Sequence, residues 1–352
     1  MSGQLEFAID TFGDVTVGAS GKLLSQAQVI RNVVAEGVLA DQVGLDFFGV
    51  GEHHRADFAV TAPEMVLAAI AAKTKSIKLG SAVTVLSSDD PIRVFQRFST
   101  LDAISSGRAE VVLGRGSFIE SFPLFGLDLK DYEVLFEDKL DLFTKLLPQT
   151  PVTWRGKTRA PLTNISVFPP IEHGSLKTWI GVGGSPNSAV RAAHYGLPMM
   201  LAIIGGAPQR FLPFVQLYRD SLTKLGKPQL PVGLHSHGYI ADTEEQARED
   251  LFPHWKAMRD RIGGERGWGA ATRADFESEV VHGSMYAGTP ETVAKRIATT
   301  AQILGISRFS MKYSSGSLPH DKLMRSIELY GTKVVPMVQD LMAGRANTLQ
   351  LQ

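Results

Sequence analysis

Eight short apolar runs punctuate the chain: Leu5–Asp10, Asp46–Gly51, Ile77–Val85, Ala109–Leu113, Thr178–Val182, Pro198–Ile203, Pro231–Ile240 and Ser307–Lys312. Segments with helix-like spacing separate them. Eight strands alternating with helices is the count of a (β/α)8 TIM barrel, with an open doubly wound sheet as the alternative. Helix starts are marked at Thr61-Ala62-Pro63-Glu64 and Thr289-Pro290-Glu291-Thr292, which combine a capping hydroxyl, an early proline and an acid. Between Ala241 and Gly288 the pattern loosens into an acidic helix-like stretch and then a segment rich in glycine and arginine. An insertion there, 241–288, between the last two strands, is expected to lie over the barrel mouth. No repeat, low-complexity tract or linker divides the chain, so residues 1–352 read as one domain.

Composition narrows the partners. The 352 residues are 44% hydrophobic, and 36 basic side chains balance 36 acidic ones. Without a global field, neither nucleic acid nor an anionic membrane surface is an expected partner, and a small molecule is. The absence of cysteine excludes disulfides, thiolate metal sites and a thiol nucleophile. Met1–Asp10 lacks the features of a signal peptide, and no run approaches the ~20 apolar residues of a membrane span, so a cytoplasmic location is expected.

Chemistry concentrates where strands end. Gly51-Glu52-His53-His54 follows the second run and sets an acid and two imidazoles where α/β folds place their active sites. Alternation along an extended segment sends Glu52 and His54 one way and His53 the other. After the fifth run, Val182-Gly183-Gly184-Ser185-Pro186-Asn187-Ser188 combines paired glycines with a helix start at Ser185, a ready cradle for a phosphate or an ordinary capped helix. Pro186 stands where a dinucleotide fingerprint needs its third glycine, which argues against a Rossmann site. Arg115, flanked by Gly114 and Gly116 after the fourth run, can reach inward to an anion or form a surface turn. Ile204-Gly205-Gly206-Ala207-Pro208 and Ser314-Ser315-Gly316-Ser317 are rival phosphate loops.

His235 and His237 occupy alternate positions of the seventh run and share a face. With Glu52, His53 and His54 they form the basis of a less favoured metal-dependent hydrolase, although no HExxH helix supports it, and no metal is expected. Nucleophile elbows and Walker loops are absent.

Taken in order, Gly51–His54, Leu79–Leu86, Asp90–Arg93, Leu101–Arg108, Gly114–Gly116, Gly183–Ser188 and Gly331–Met337 resemble the bacterial luciferase-like flavin-dependent monooxygenases over almost the whole chain. The resemblance implies a barrel that binds reduced FMN at its C-terminal mouth, reacts with O2 to give a flavin hydroperoxide and oxidises a small organic substrate. His53 matches the catalytic histidine, with Glu52 beside it orienting the site. Arg115, Ser185 and Ser188 match the phosphate-binding positions, with Ser117, Gly183 and Gly184 in the same cofactor-binding segments. Ala82–Val83 matches a non-proline cis peptide under the flavin ring. His54, Phe118, His235 and His237 become candidates for the substrate pocket. A separate flavin reductase would supply the reduced FMN transiently, and a homodimer is expected.

Departures accompany the likeness. Gly184 stands where luciferase has a glutamate, Gly114 where it has a reactive cysteine, and Ser117 and Phe118 where it has leucine and tyrosine, so the resemblance does not extend to an aldehyde substrate or light emission as expectations for this chain. Alternatives within the same fold are a deazaflavin-dependent oxidoreductase and a non-catalytic flavin-binding barrel. The segment 259–288, including Gly263-Gly264-Glu265-Arg266-Gly267-Trp268-Gly269, is expected to carry no stable element and to serve as a mobile lid.

Overall fold

The computed structural model describes residues 4–116 and 118–349, with side chains described through Gly344. Each apolar run becomes a strand: β1 Glu6–Thr11, β2 Phe47–Val50, β3 Lys78–Ser81, β4 Ala109–Gly114, β5 Lys177–Val182, β6 Met199–Ala202, β7 Val232–Ile240 and β8 Arg308–Lys312. Every strand pairs in parallel with the next, and β8 returns to β1, with Glu6 opposite Arg308 and Asp10 opposite Lys312. The sheet is thus a closed eight-stranded parallel barrel flanked by helices, a (β/α)8 fold.

Local chemistry sets the helix boundaries. Ser25 caps the helix Gln26–Gln42 by accepting from the Gln28 amide, and Asp90 caps Pro91–Ser105 by accepting from Ile92 and Arg93. Thr289 caps Pro290–Leu304 through Thr292, as its sequence implies. Thr61 does not perform that role for Pro63–Ala71: Ala62 holds the cap position and no side chain bonds there, the proline alone fixing the start.

The N-terminal end of the barrel is plugged by charge. Arg308, fully buried, donates to Glu6 at 2.7 Å and to both oxygens of Glu110 at 2.8 and 3.1 Å. Its guanidinium lies over the rings of Phe47 and Trp179, at 4.6 and 4.7 Å, and the Trp179 indole donates to Glu110 at 2.9 Å. An unpaired charge here would cost several kcal/mol, so the completeness of the pairing is what makes the plug tolerable.

Beyond the eight strands, Thr84–Val85 adds a short parallel pairing to β4, and two further elements exceed the barrel pattern. Val152–Trp154 and Leu162–Ile165 form an antiparallel hairpin in the β4–β5 connection. Tyr286–Gly288 adds a parallel partner to the C-terminal part of β7. The insertion is more ordered than its sequence suggests. The helix Glu244–Glu265 runs through the glycine pair, and Arg273–Val281 follows with a reciprocal capping box between Thr272 and Asp275. Gly263 is tolerated because it packs against Trp268, where a Cβ would stand 3.2 Å from the tryptophan Cβ. The expectation of no stable element over 259–288 is therefore corrected. Among the described residues, no helix is long and apolar enough to cross a membrane.

Candidate active site

At the C-terminal end the barrel is open. Phe12, His53, Ala82, Val83, Gly181, Ala202 and His237 remain partly exposed around this bowl, while most strand residues beneath them are buried. The peptide between Ala82 and Val83 is cis, as the sequence comparison implies. Val83 turns its side chain against β4, where a Cβ on Gly114 would come within 2.5 Å of it. Glycine at 114 is thus a packing requirement of Val83.

His53 stands among aromatic rings: Phe12 at 4.5 Å, Phe58 at 4.6 Å and Phe118 at 5.0 Å between centroids. Burial, with smaller contributions from nearby cations, pushes its pKa down to about 3, so the imidazole is neutral at pH 7. Its ring makes no hydrogen bond among the described residues. Glu52 faces elsewhere. One of its oxygens meets His54 Nε2 at 2.8 Å and the other accepts the Val85 amide at 3.2 Å. Glu52 therefore fixes His54 and the β3 exit rather than orienting His53, and His54, with Phe125 at 5.1 Å, is held in that clasp.

Beneath the bowl, His235 Nδ1 lies 2.9 Å from Asp10 Oδ2, and the Ser310 hydroxyl donates to the same oxygen at 2.6 Å. Burial opposes ionisation of Asp10, but His235, Ser310 and Lys312 outweigh it and hold the carboxyl below its usual range. Asp10 is therefore an acceptor, and the imidazole donates from Nδ1. His237 shares this face of β7, its ring 6.1 Å from that of His235, and burial lowers its pKa to about 3. Lys312 is buried over the Phe12 ring and paired with Asp14 at 2.9 Å.

The β4 and β5 exits make an anion cradle. Arg115 ion-pairs with Glu133, lies over the Tyr132 ring at 5.3 Å and reaches Ser188 Oγ at 3.4 Å. Arg191, one turn along the helix Pro186–Tyr195, reaches the same Ser188 oxygen at 3.4 Å and pairs with Glu137. Ser185 holds the cap position but its side chain bonds no amide, which leaves the helix start open to an anion. Gly183 faces open space, with nothing within 4 Å of a Cβ built on it, and beside Gly184 only Phe211 comes near, at 3.5 Å. Ser117 lies outside the described residues.

The rival loops are already committed. Ser314 and the Gly316 amide both donate to Asp14, at 2.5 and 3.0 Å. The Gly206 amide faces Glu279 at 3.2 Å. Among the described residues no three metal-ligating side chains converge.

Beside the bowl, a cleft of about 540 Å³ lies between the insertion helix, through His254, Met258 and Arg261, and the β2 exit, through Arg55 and Asp57. Sequence alone missed Asp10, Tyr132 and Arg191. Arg191 had a usable signal, since it lies three residues beyond Ser188 and so on the same helix face. Asp10 had none, because its partner is 225 residues away.

The family model described as luciferase-like monooxygenase matches residues 11–308. The alkanal monooxygenase alpha chain of Photorhabdus luminescens is 22% identical over 94% of this chain and 97% of its own. The monooxygenase RslO1 from Streptomyces bottropensis superposes with a TM-score of 0.80 at 22% identity, over 94% of this chain and 99% of its own. The oxygenating constituent of 3,6-diketocamphane monooxygenase from Pseudomonas putida, solved with FMN, gives a TM-score of 0.75 at 19% identity, over 95% and 98%. The coenzyme F420 dependent tetrahydromethanopterin reductase of Methanopyrus kandleri gives 0.70 at 18%, over 95% and 99%. At these identities the structural likenesses establish the barrel.

Proposed function

Because the chain belongs to the luciferase-like monooxygenase family, we propose that it is an FMN-dependent monooxygenase that oxidises a small organic substrate with O2. One observation carries this proposal: an anion cradle at the β4 and β5 exits and a neutral, unbonded His53 at the β2 exit border one bowl, with the Ala82–Val83 backbone of the β3 exit between them. Consecutive barrel strands thus present, in order, a place for a phosphate, a backbone surface for a flat ring and an imidazole.

The residues present fit FMN. Arg115, Arg191 and the Ser188 hydroxyl at the uncapped helix start would hold its phosphate, and the space beside Gly183 leaves room for the chain that joins phosphate to ring. Reduced FMN, when bound, supplies two electrons, so that one oxygen atom enters the substrate and the other leaves as water. His53, neutral and set among Phe12, Phe58 and Phe118, offers one acceptor and one donor nitrogen at the edge of the bowl. No dinucleotide fingerprint supports a nicotinamide site, so the reduced flavin would come from a separate reductase.

The experiment titrates the protein with FMN and coenzyme F420 and then mixes it with photoreduced FMN and air. The proposal expects FMN to bind more tightly than coenzyme F420, product from a substrate panel to depend on reduced FMN, and NADH to remain unoxidised without added reductase. Preference for coenzyme F420 with hydride transfer to it would favour the dehydrogenase alternative, which the reductase-like neighbour keeps in view. Fast NADH oxidation by the protein alone would overturn the two-component scheme.

A further inference from the structure

Three imidazoles border the bowl or lie just beneath it, and they differ in one respect. His53 and His237 have no carboxylate bonded to their rings, whereas His235 donates Nδ1–H to Asp10 at 2.9 Å. With Nδ1 committed, the remaining ring nitrogen of His235 is Nε2, which makes no hydrogen bond among the described residues. Phe12 lies between two of these imidazoles, edge-on to His53 at 4.5 Å and stacked 6.1 Å from His235 at 13° between planes. The other carboxylate oxygen, Asp10 Oδ1, is buried without a partner, so the negative charge there is incompletely compensated.

We propose that His235, positioned by Asp10, is the proton acceptor for a weakly acidic hydroxyl on a flat apolar substrate, a phenol or an enol. Asp10, Asp14 and Lys312 together carry one net negative charge, which a proton on His235 balances. The same charge repels a carboxylate substrate and admits a neutral hydroxyl. In the step, the substrate O–H bond breaks, the electron pair stays on oxygen, and the proton joins Nε2 while Nδ1–H remains with Asp10. The imidazolium then faces the oxyanion on one side and the Asp10 carboxylate on the other. His53 and His237 lack that second partner and are poorer bases. Resting on the monooxygenase reading for its purpose, this transfer makes the substrate carbons electron-rich before oxygen is inserted.

The test uses para-nitrophenol, whose ionised form is coloured, with the protein with and without FMN. One pH unit below the probe's own pKa, about 10% of it is ionised when free. The wild type should raise the ionised fraction of bound probe several-fold. His235→Gln and Asp10→Asn should return it to the free value. Ser310→Ala, which removes a donor from the same Asp10 oxygen without touching the imidazole, should shift it by a smaller amount and carries the test where Asp10→Asn fails to fold. Circular dichroism and FMN affinity are followed in parallel for every variant. No excess phenolate with wild type, or an unchanged excess in His235→Gln, overturns the proposal. Excess phenolate in a protein that does not bind FMN instead separates the two, leaving the base assigned and the flavin reading refuted.

Discussion

Arg55 grips Glu265 with two hydrogen bonds, from Nη1 at 2.9 Å and Nη2 at 2.6 Å, across 210 residues of sequence. The same guanidinium bonds Glu120 and Asp57 and lies over Phe118 at 4.8 Å. Arg261 adds a pair to Asp57 at 2.7 Å. The β2 exit, the β4 exit and the end of the insertion helix therefore meet at one cation, directly outside the ring that covers His53.

Arg55→Met should loosen the insertion without unfolding the barrel. The Glu265 end of this network is exposed, where an ion pair is worth about 1 kcal/mol or less, whereas Arg55 and Asp57 are nearly buried, so the melting temperature should fall measurably while the barrel stays folded. Trypsin cleavage between Arg259 and Arg266 should quicken several-fold, and bound flavin should slow it again if the insertion serves as a lid. Equal cleavage rates in wild type and variant would show that the helix is held by other contacts.

His53→Ala should lower product formation by about 10²-fold or more while leaving FMN affinity within a few-fold, because general acid or base groups contribute on that scale without binding cofactor. Rapid-mixing kinetics with reduced FMN give the first quantity and fluorescence titration the second. Full turnover in His53→Ala would move the role to His235.

Arg115→Ala and Arg191→Ala should each weaken FMN by roughly tenfold or more and riboflavin hardly at all. Each lost charge-assisted hydrogen bond is worth about 1.5–3 kcal/mol, and riboflavin has no phosphate to make it. Equal losses for both ligands would place the phosphate away from the β5 turn.

Stability should fall as the pH drops below neutrality. His53 and His237 keep pKa values of about 3 in the fold against an ordinary value of 6.5, and for both the chief cause is burial. Between those values the unfolded chain binds protons that the native state refuses, so unfolding becomes easier with each step toward acid. Thermal melts from pH 7 to pH 4 should show the decline. The double variant His53→Gln, His237→Gln should flatten it, and an unaltered slope would assign it to carboxylates.

The barrel was legible because its strands are buried on both faces and so read as apolar runs with few interruptions. All eight runs became strands within a few residues, and the Arg115 and Ser188 side chains do meet. What escaped has physical reasons. The hairpin Val152–Trp154 and Leu162–Ile165 is largely exposed on its second strand, so it carries no hydrophobic signature. The insertion helix passes its glycine pair because Arg259 and Trp268 pack there, contacts that local propensity cannot register. The family resemblance set Glu52 to orient His53, yet its carboxylate meets His54, the neighbour that alternation along an extended segment places on the same side. Asp10 and His235 sit on different strands, and only closure of the barrel brings them together.

The Arg308 plug also sets the traffic of the molecule. With Glu6, Glu110, Phe47 and Trp179 packed around that guanidinium, the N-terminal end of the barrel is closed among the described residues. On the opposite side, the partly exposed residues Phe12, His53 and Ala82 form a rim above His235. A flat ligand laid across that rim would act as a stopper, so a molecule held beneath it is first in and last out. Order of arrival, rather than affinity alone, would then decide which compounds the deep imidazole ever meets.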